Sequence, residues 1–286
     1  MLGFEGYAIP FGASVCVKSF ICKKRLRSTY RRTMNGYTAY IICTSPRSGS
    51  TLLCRVLSEA GNAGVPESYF HESSLSEWLL DYGLDQTAFV TSKDALEAVF
   101  LAAVEEGKGK SEVFGLRLQR QSAAFFLKQL EVLFPFQPDD MSRIEAAFGK
   151  TLLVHLTREN KLDQAISYVR AQQSGLWHMA PDGTEIERLS HPKDSLYDRA
   201  AIERQLVLSE QMDEEWCAWF DREGVRPVRI TYEELAADPY ATVRDLLAKL
   251  GHIQEQKAGG TPPTVKLADE TNQEWARRFL AERHHR

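Results

Sequence analysis

Apolar residues along this chain fall into two kinds of segment, short β-branched runs and longer stretches with helical spacing. Residues 38–43, Thr-Ala-Tyr-Ile-Ile-Cys, are typical of a buried strand. Leucine and valine then recur at helical spacing over residues 49–60, which predicts a helix. The same patterns predict further strands at 112–118, 150–156 and 226–232, and helices over most of 76–106 and at 121–133, 161–173, 197–222, 239–250 and 274–280.

Strands separated by helices favour parallel pairing with right-handed crossovers. We therefore predict an α/β fold, a P-loop-like, doubly wound and mainly parallel sheet flanked by helices, in a single domain over residues 34–286. Residues 175–196, rich in glycine, proline and aspartate, are predicted to be a loop. In such sheets ligands bind beyond the carboxyl ends of the strands, so the loops at that edge are the first places to look for chemistry.

Charge is unevenly distributed along the chain. Residues 1–33 carry seven basic residues and one acidic residue, whereas the whole chain has a net charge of −4. The rest is therefore acidic, which argues against a nucleic-acid partner. The basic N-terminal tail, 1–33, is predicted to be disordered or to lie outside the domain, because Met34 comes shortly before the first strand.

The cysteines form no Cys-x-x-Cys pair and no metal-ligand cluster with histidine, so we predict no metal site. Five cysteines without a pattern fit a reducing compartment, and we expect a cytoplasmic protein. No stretch approaches the roughly 20 apolar residues of a transmembrane helix, so no transmembrane segment is predicted.

The segment Cys43-Thr-Ser-Pro-Arg-Ser-Gly-Ser-Thr-Leu-Leu53 joins the first strand to the first helix. Backbone N–H groups and the helix dipole at such a junction favour a bound anion. A triphosphatase loop would have lysine after its last glycine, but here Ser50 and Thr51 follow Gly49, and the positive charge, Arg47, precedes it. A nucleotide kinase or triphosphatase is therefore disfavoured. For this stretch alone, an ordinary serine-rich helix cap is the simpler alternative.

A second candidate anion site follows the third predicted strand. Arg158 ends that strand, and Ser167 lies nine residues later within the next helix. A strand-end cation and a hydroxyl two helical turns further on can both reach one phosphate. Two anion sites are therefore predicted at the carboxyl edge of one sheet.

These residues resemble a known enzyme family. Ser-Pro-Arg-Ser-Gly-Ser-Thr-Leu-Leu, at 45–53, resembles the 5′-phosphosulfate loop of sulfotransferases, and Thr-Arg-Glu-Asn with Ala-Ile-Ser-Tyr, within 157–168, resembles their 3′-phosphate motif. The resemblance is closest to the Stf0-type bacterial sulfotransferases and covers most of residues 37–282. It implies transfer of a sulfuryl group from 3′-phosphoadenosine-5′-phosphosulfate (PAPS) to a hydroxyl of a carbohydrate or glycolipid, with release of 3′,5′-adenosine bisphosphate and without a metal.

The resemblance also implies roles for individual residues. Backbone N–H groups from Ser48 to Thr51, including Gly49, and the hydroxyls of Ser50 and Thr51 would hold the phosphosulfate, beside Arg47 as the catalytic cation. Arg158 and Ser167 would bind the 3′-phosphate, and Lys266 would close over the nucleotide. The predicted donor-site residues are therefore Arg47, Ser48, Gly49, Ser50, Thr51, Arg158, Ser167 and Lys266.

The family's general base is a glutamate within the segment Gly-Val-Pro-Glu-Ser-Tyr-Phe-His-Glu, 64–72. Trehalose-type members have Gly-Glu-Pro-x-Glu there, whereas this chain has Val65 and Ser68 at the two acidic positions. We predict Glu67 as the base, with His71 and Glu72 as alternatives. The departure puts trehalose itself in question as the acceptor.

Three further residues are candidates for the acceptor side. Arg117 lies at the end of a predicted strand and could face the sulfuryl group or the acceptor. Trp177 and His178, in the predicted loop, could shape the acceptor pocket. A non-catalytic binder of 3′,5′-adenosine bisphosphate is the main alternative function, and the family makes a homodimer plausible.

Overall fold

The computed structural model describes residues 36–180, 182–251 and 270–283. Its strands are β1 (Ala39–Thr44), β2 (Phe114–Gln119), β3 (Thr151–Thr157), β4 (Leu176–Met179), β5 (Glu185–Arg188) and β6 (Val228–Thr231). Its helices are α1 (Ser50–Glu59), α2 (Leu75–Asp81), α3 (Ser92–Lys108), α4 (Arg120–Leu133), α5 (Asp140–Phe148), α6 (Lys161–Ser174), α7 (Arg199–Arg222), α8 (Tyr232–Ala237), α9 (Pro239–Leu250) and α10 (Glu270–Arg283). The predicted basic tail, 1–33, and Lys266 lie outside the described residues.

Four of these strands form one parallel sheet in the order β2-β1-β3-β6. The central strand β1 pairs with β2 on one side and β3 on the other, so that Thr44 at its end is level with Gln119 and Leu156. The carboxyl ends of all three strands therefore lie at one edge. This confirms the predicted α/β fold with a mainly parallel sheet flanked by helices.

Both faces of the sheet are buried, which explains why the strands are apolar without alternation. Ala39, Ile41 and Cys43 pack into a core with the aromatic residues of α3, α4, α5 and α7. Tyr40 and Ile42 face the opposite core, which α1, α8 and α9 cover. Because successive side chains of β1 enter different cores, the strand is held from both faces and its end is a rigid base for the loop that follows.

The structure differs from the predicted elements in four places. The segment 175–196 is not all loop, because β4 and β5 form an antiparallel hairpin with irregular register. The segment 76–106 divides into α2, a 3₁₀ turn at Gln86–Ala88, and α3. Helices α5 and α8 were not predicted. None of the helices in the described ranges combines the length and the apolar composition that crossing a membrane requires.

Candidate active site

The predicted anion loop connects β1 to α1 and has an unusual backbone. Arg47 has a φ of 65°, and Gly49, at the N-cap of α1, has a φ of 88°. No side chain caps α1 at Gly49, so the N–H groups of its first turn are left for another acceptor. The hydroxyl of Ser48 is buried inside the loop, 2.8 Å from the carbonyl of Ser45, which leaves its backbone rather than its side chain for a ligand.

Gly49 is the position where the loop has least room. A Cβ there would lie 2.5 Å from the ring of Tyr232, and the positive φ disfavours any L side chain. We expect Gly49→Ala to lower the free energy of unfolding by at least about 2 kcal/mol, from overpacking and left-handed strain. Urea unfolding would measure it. Gly61→Ala is the matched control, because Gly61 has a φ of +76° but nothing within 4 Å of its added Cβ. Equal losses in the two variants would contradict a role for Tyr232.

Arg47 joins the loop to α6 and to the hairpin. Its Nε donates to Ser167 Oγ at 2.9 Å, and its Nη1 donates to the backbone carbonyl of Trp177. Burial, together with the charge of nearby Arg158, lowers the pKa of Arg47 to about 10. The guanidinium therefore stays protonated at neutral pH. It places a fixed, largely desolvated positive charge at the mouth of the loop.

Arg158 lies behind the loop. It is 5% exposed, with Nη1 3.5 Å from the carbonyl of Arg47 and Nη2 3.6 Å from Asp163 Oδ2. Its guanidinium also lies over the ring of Tyr232, 4.5 Å from the centroid. The structure thus brings Arg47, Arg158 and Ser167 together at the carboxyl edge of the sheet. Ser167 faces a cavity, whereas Arg158 contacts the loop backbone.

A polar network behind the loop was not predicted. Gln164 on α6 is fully buried and donates to Ser45 Oγ at 3.0 Å and to the carbonyl of Pro46 at 2.7 Å. Asp213 on α7 accepts from Ser45 Oγ at 3.3 Å and is ion-paired with Lys161. These bonds hold the first residues of the loop against two helices, so that its backbone is rigid before any ligand binds.

Glu67, Arg117 and Thr51 form a chain of contacts on the other side of the loop. Arg117 Nη1 donates to Thr51 Oγ1 at 3.0 Å, and Nη2 lies 3.1 Å from Glu67 Oε2. Arg117 Nε donates to Ser68 Oγ at 2.8 Å. The backbone N–H of Arg117 also donates to the carbonyl of Glu67, so the predicted base is held beside β2. One guanidinium therefore links the carboxylate to the anion loop.

The alternative bases are placed differently. His71 Nε2 lies 2.7 Å from Glu72 Oε1, and both side chains are more than one-third exposed, as is Glu67. His71 borders the cavity described below, whereas neither Glu72 nor Glu67 is among its described lining residues. The exposed pair contacts neither Arg117 nor the loop among the described hydrogen bonds. Of the three candidates, Glu67 has the direct link to the anion loop.

His178 is carried by β4 and faces the loop from the hairpin. Its Nε2 lies 3.0 Å from Thr51 Oγ1 and 3.5 Å from Glu187 Oε2. Burial, followed by the charges of Arg47 and Arg117, lowers the pKa of His178 to about 3. The imidazole is therefore neutral at pH 7 and exchanges hydrogen bonds without adding charge to the site.

The lowered pKa of His178 predicts a pH dependence of stability in the absence of nucleotide. The unfolded chain protonates this imidazole below about pH 6.5, but the folded chain does not until about pH 3, so stability is lost as the pH falls from 6.5. We expect His178→Gln to remove part of that slope, which is at most about 1.4 kcal/mol per pH unit. Thermal unfolding of both proteins between pH 7 and 4.5 would measure it, and parallel curves would contradict the prediction.

Two cavities meet at Arg47. The first, about 370 Å³, is bordered by the anion loop, Arg117 and the hairpin. Its aromatic wall is Trp177, packed edge-on against Tyr168 with centroids 5.5 Å apart. Its lining is Pro46, Arg47, Ser50, Thr51, Ser68, His71, Arg117, Gln119, Gln121, Ser122, Tyr168, Trp177, His178, Glu187 and Leu189. We refer to it as the hairpin cavity.

The second cavity, about 350 Å³, lies between α6, the segment around residue 194 and α10. It includes Ser167, Arg170 and Asn272, and Arg170 donates to the Asn272 side chain. We refer to it as the α6–α10 cavity. Arg170 and Glu187 were missed by the sequence analysis. Arg170 could have been found, because it lies one helical turn after Ser167 on the same face of α6, whereas nothing in the sequence marks Glu187.

Within the described ranges, no group of three or more histidine, cysteine, aspartate or glutamate side chains is placed to hold a metal ion. The anion loop, Arg47 and Arg117 are instead suited to an anionic ligand. A transferable anionic group held at this loop would lie between two guanidinium groups, with a carboxylate and a neutral imidazole close by. That arrangement can support group transfer to a hydroxyl.

Comparisons with known proteins find similarity over most of the described residues. The family model described as Stf0 sulphotransferase matches residues 39–282, which include every described strand and both cavities. Trehalose 2-sulfotransferase from Mycolicibacterium smegmatis is 27% identical over 266 residues, covering 85% of this chain and 94% of that protein. Trehalose 2-sulfotransferase from Mycobacterium tuberculosis is 28% identical over 263 residues, with the same coverage. A solved sulfotransferase from Alicyclobacillus acidocaldarius has 19% identity and a TM-score of 0.39, covering 85% of this chain and 91% of that one.

Proposed function

Because this chain belongs to the Stf0 sulphotransferase family, we propose that it transfers a sulfuryl group from PAPS to a hydroxyl of a carbohydrate or glycolipid. The observation that carries the proposal is the 2.9 Å hydrogen bond from Arg47 Nε to Ser167 Oγ. It joins the loop expected to hold the phosphosulfate to the helix expected to hold the 3′-phosphate. Two segments that are expected to bind phosphate, 120 residues apart in the chain, would therefore share one charged residue.

In the proposed arrangement the nucleotide occupies the α6–α10 cavity and the acceptor occupies the hairpin cavity. Ser167 and Arg170 would face the 3′-phosphate, and Arg158 would support the loop carbonyl from behind. Lys266, which lies outside the described residues, is proposed to close over the nucleotide. The aromatic edge formed by Trp177 and Tyr168 suits the apolar face of a sugar ring.

Bound PAPS supplies the sulfuryl group and leaves as 3′,5′-adenosine bisphosphate. The N–H groups from Ser48 to Thr51 would hold the phosphosulfate oxygens, and Arg47 would stabilise the charge that develops on the bridging oxygen as its bond to sulfur breaks. As the acceptor oxygen bonds to sulfur, Glu67 would take the hydroxyl proton. Arg117, between Glu67 and Thr51, would orient the carboxylate towards the reacting group.

We also propose a cytoplasmic location, a single sulfotransferase domain over residues 34–286 and a homodimer. The three cysteines in the described part of the chain are free thiols, which fits a reducing compartment. The family match over residues 39–282 supports one domain. The homodimer rests on the family resemblance, and analytical ultracentrifugation would test it.

Mass spectrometry of reaction mixtures tests the function. Purified protein would be incubated with PAPS and, separately, trehalose, glucose and a trehalose-based glycolipid. We expect at least one sulfated acceptor, formed in equal amount with 3′,5′-adenosine bisphosphate and formed about 10²- to 10³-fold more slowly by Arg47→Ala. Tight binding of the bisphosphate without transfer to any acceptor would instead support the non-catalytic binder, an alternative favoured by Val65 and Ser68 at the family's acidic positions.

A further inference from the structure

The hairpin cavity contains an acidic residue that the proposed mechanism does not use. Among its described lining residues, the one carboxylate is Glu187. Glu187 lies on β5, where the hairpin register pairs it with His178 on β4. Two further bonds, from Leu189 N to the carbonyl of Gly175 at 2.8 Å and from Arg188 to the carbonyl of Ser174, anchor β5 to the end of α6. The anchored hairpin therefore holds this carboxylate over the anion loop.

The charge of Glu187 acts on nearby Arg47, whose pKa it raises, but its direct contacts are few. Its Oε2 lies 3.5 Å from His178 Nε2, and the described structure gives it no ion pair with an arginine. His178 is neutral at pH 7, because burial and two arginines lower its pKa. The Glu187 side chain is 44% exposed, so it faces the open part of the cavity and can reach a ligand there. The oxygens of a carboxylate accept hydrogen bonds.

The neighbouring anion loop limits what that ligand can be. A phosphate or sulfate group would be repelled by Glu187, so this carboxylate is not suited to the donor. A ligand that donates hydrogen bonds is suited to it, and the aromatic edge of Trp177 borders the same space. A polyhydroxylated ring has both properties, because its hydroxyls donate and its C–H face packs on aromatic rings.

We propose that Glu187 accepts hydrogen bonds from hydroxyl groups of the acceptor and so selects a sugar that presents a second hydroxyl beside the one that is sulfated. This inference rests on the proposed function, because that function defines which ligand is the acceptor. Glu187 binds and orients in this account, whereas Glu67 takes the proton. On this proposal, the choice of acceptor depends on the β4–β5 hairpin rather than on the segment 64–72.

The test compares Glu187→Ala with Glu185→Ala on the same hairpin. Glu185 is ion-paired with Arg188 and is not part of the cavity lining, so it is a matched control. Saturation-transfer NMR would measure binding of trehalose, glucose and maltose to protein loaded with 3′,5′-adenosine bisphosphate. Calorimetry would measure bisphosphate binding, and steady-state assays with PAPS would give KM and kcat for any sugar that reacts.

We expect a sugar signal with wild type and with Glu185→Ala, and its loss with Glu187→Ala. For a reacting sugar, KM would rise about 10- to 100-fold, the loss of a hydrogen bond to a charged group, with kcat changed far less. Bisphosphate affinity would not fall, because a negative charge near the anion site is removed. Weaker bisphosphate binding would indicate that the hairpin has collapsed and that the Trp177 carbonyl has moved away from Arg47. That result would overturn the proposal.

Three other results would also overturn it: unchanged sugar binding by Glu187→Ala, no binding of any of the three sugars by wild type, or a fall in kcat with constant KM. If the proposed function fails, the same experiments give a different set of results. In that case sugars bind through Glu187 and the bisphosphate binds, but no sulfated product forms from PAPS. Binding and transfer are read separately, so the two failures are distinguishable.

Discussion

Glu67→Gln is expected to lower kcat about 10²- to 10⁴-fold, the usual contribution of a positioned general base. Glutamine keeps the size of the side chain and can still accept a hydrogen bond from Arg117, which lies 3.1 Å from Glu67 Oε2. It cannot take a proton from the acceptor hydroxyl. Affinity for 3′,5′-adenosine bisphosphate should stay close to that of wild type, so single-turnover kinetics and calorimetry together measure the effect.

Glu72→Gln is the control for that experiment. Glu72 contacts His71 at 2.7 Å and belongs to the same segment, but it lacks the described contact with Arg117 that links Glu67 to Thr51. We expect its activity to stay within a few-fold of wild type. A large loss with Glu72→Gln or His71→Gln, together with near-normal Glu67→Gln, would move the base to that exposed pair.

Arg47→Ala is expected to lower kcat about 10²- to 10³-fold, as the removal of one preorganised charge from a developing oxyanion does. Arg47 also bonds to Ser167 and to the carbonyl of Trp177, so the variant separates the loop from α6 and from the hairpin. Nucleotide and acceptor should therefore both bind more weakly. Steady-state kinetics with each substrate varied in turn would measure these effects.

Arg47→Lys tests whether the positive charge or the shape of the guanidinium group is needed. Lysine keeps a positive charge but lacks the planar fork that contacts Ser167 and Trp177 together. We expect activity between that of wild type and Arg47→Ala. A lysine variant as inactive as alanine would show that the fork, rather than the charge, is what matters. An alanine variant with near-normal kcat would contradict the catalytic role of Arg47.

Much of the sheet could be predicted because burial on both faces leaves a clear signal. Strand β1 is apolar at nearly every position and is completely buried, and the helix after it is equally regular. The hairpin gave no such signal. All four residues of β4 are only half-buried, and β5 is polar. Its strands are held by α6 and by each other rather than by an apolar core, so composition favoured a loop.

Two helices were missed although local signals for them exist. Asp139 accepts a hydrogen bond from Ser142 N and caps α5, and Thr231 with Glu234 forms a capping box at the start of α8. Such caps can be recognised in a sequence. Both helices are short and contain few apolar residues. A helix of two or three turns shows little hydrophobic periodicity, so this pattern did not predict them.

The residues of the candidate site also differ in how far the sequence predicts them. The anion loop and Arg158 could be located, because each lies directly after a strand of a parallel sheet and topology brings such segments together. Ser167 follows on the helix after Arg158 and so comes to the same edge. The link from Arg117 to both Glu67 and Thr51 could not, since it depends on the side-chain direction at β2. Glu187 could not either, because its position depends on a hairpin that the sequence does not show.

The central claim is that the anion loop and α6 together bind a nucleotide with phosphates on both its 3′ and 5′ oxygens. Calorimetric titration of 3′,5′-adenosine bisphosphate and of 5′-AMP into wild type, Ser167→Ala and Arg158→Ala tests it most directly. The account predicts clear preference of wild type for the bisphosphate, a reduced preference in Ser167→Ala, and weaker binding of both nucleotides by Arg158→Ala, because Arg158 supports the loop. Equal binding of the two nucleotides, or none of either, would contradict it and leave the loop as a helix cap or a site for another anion.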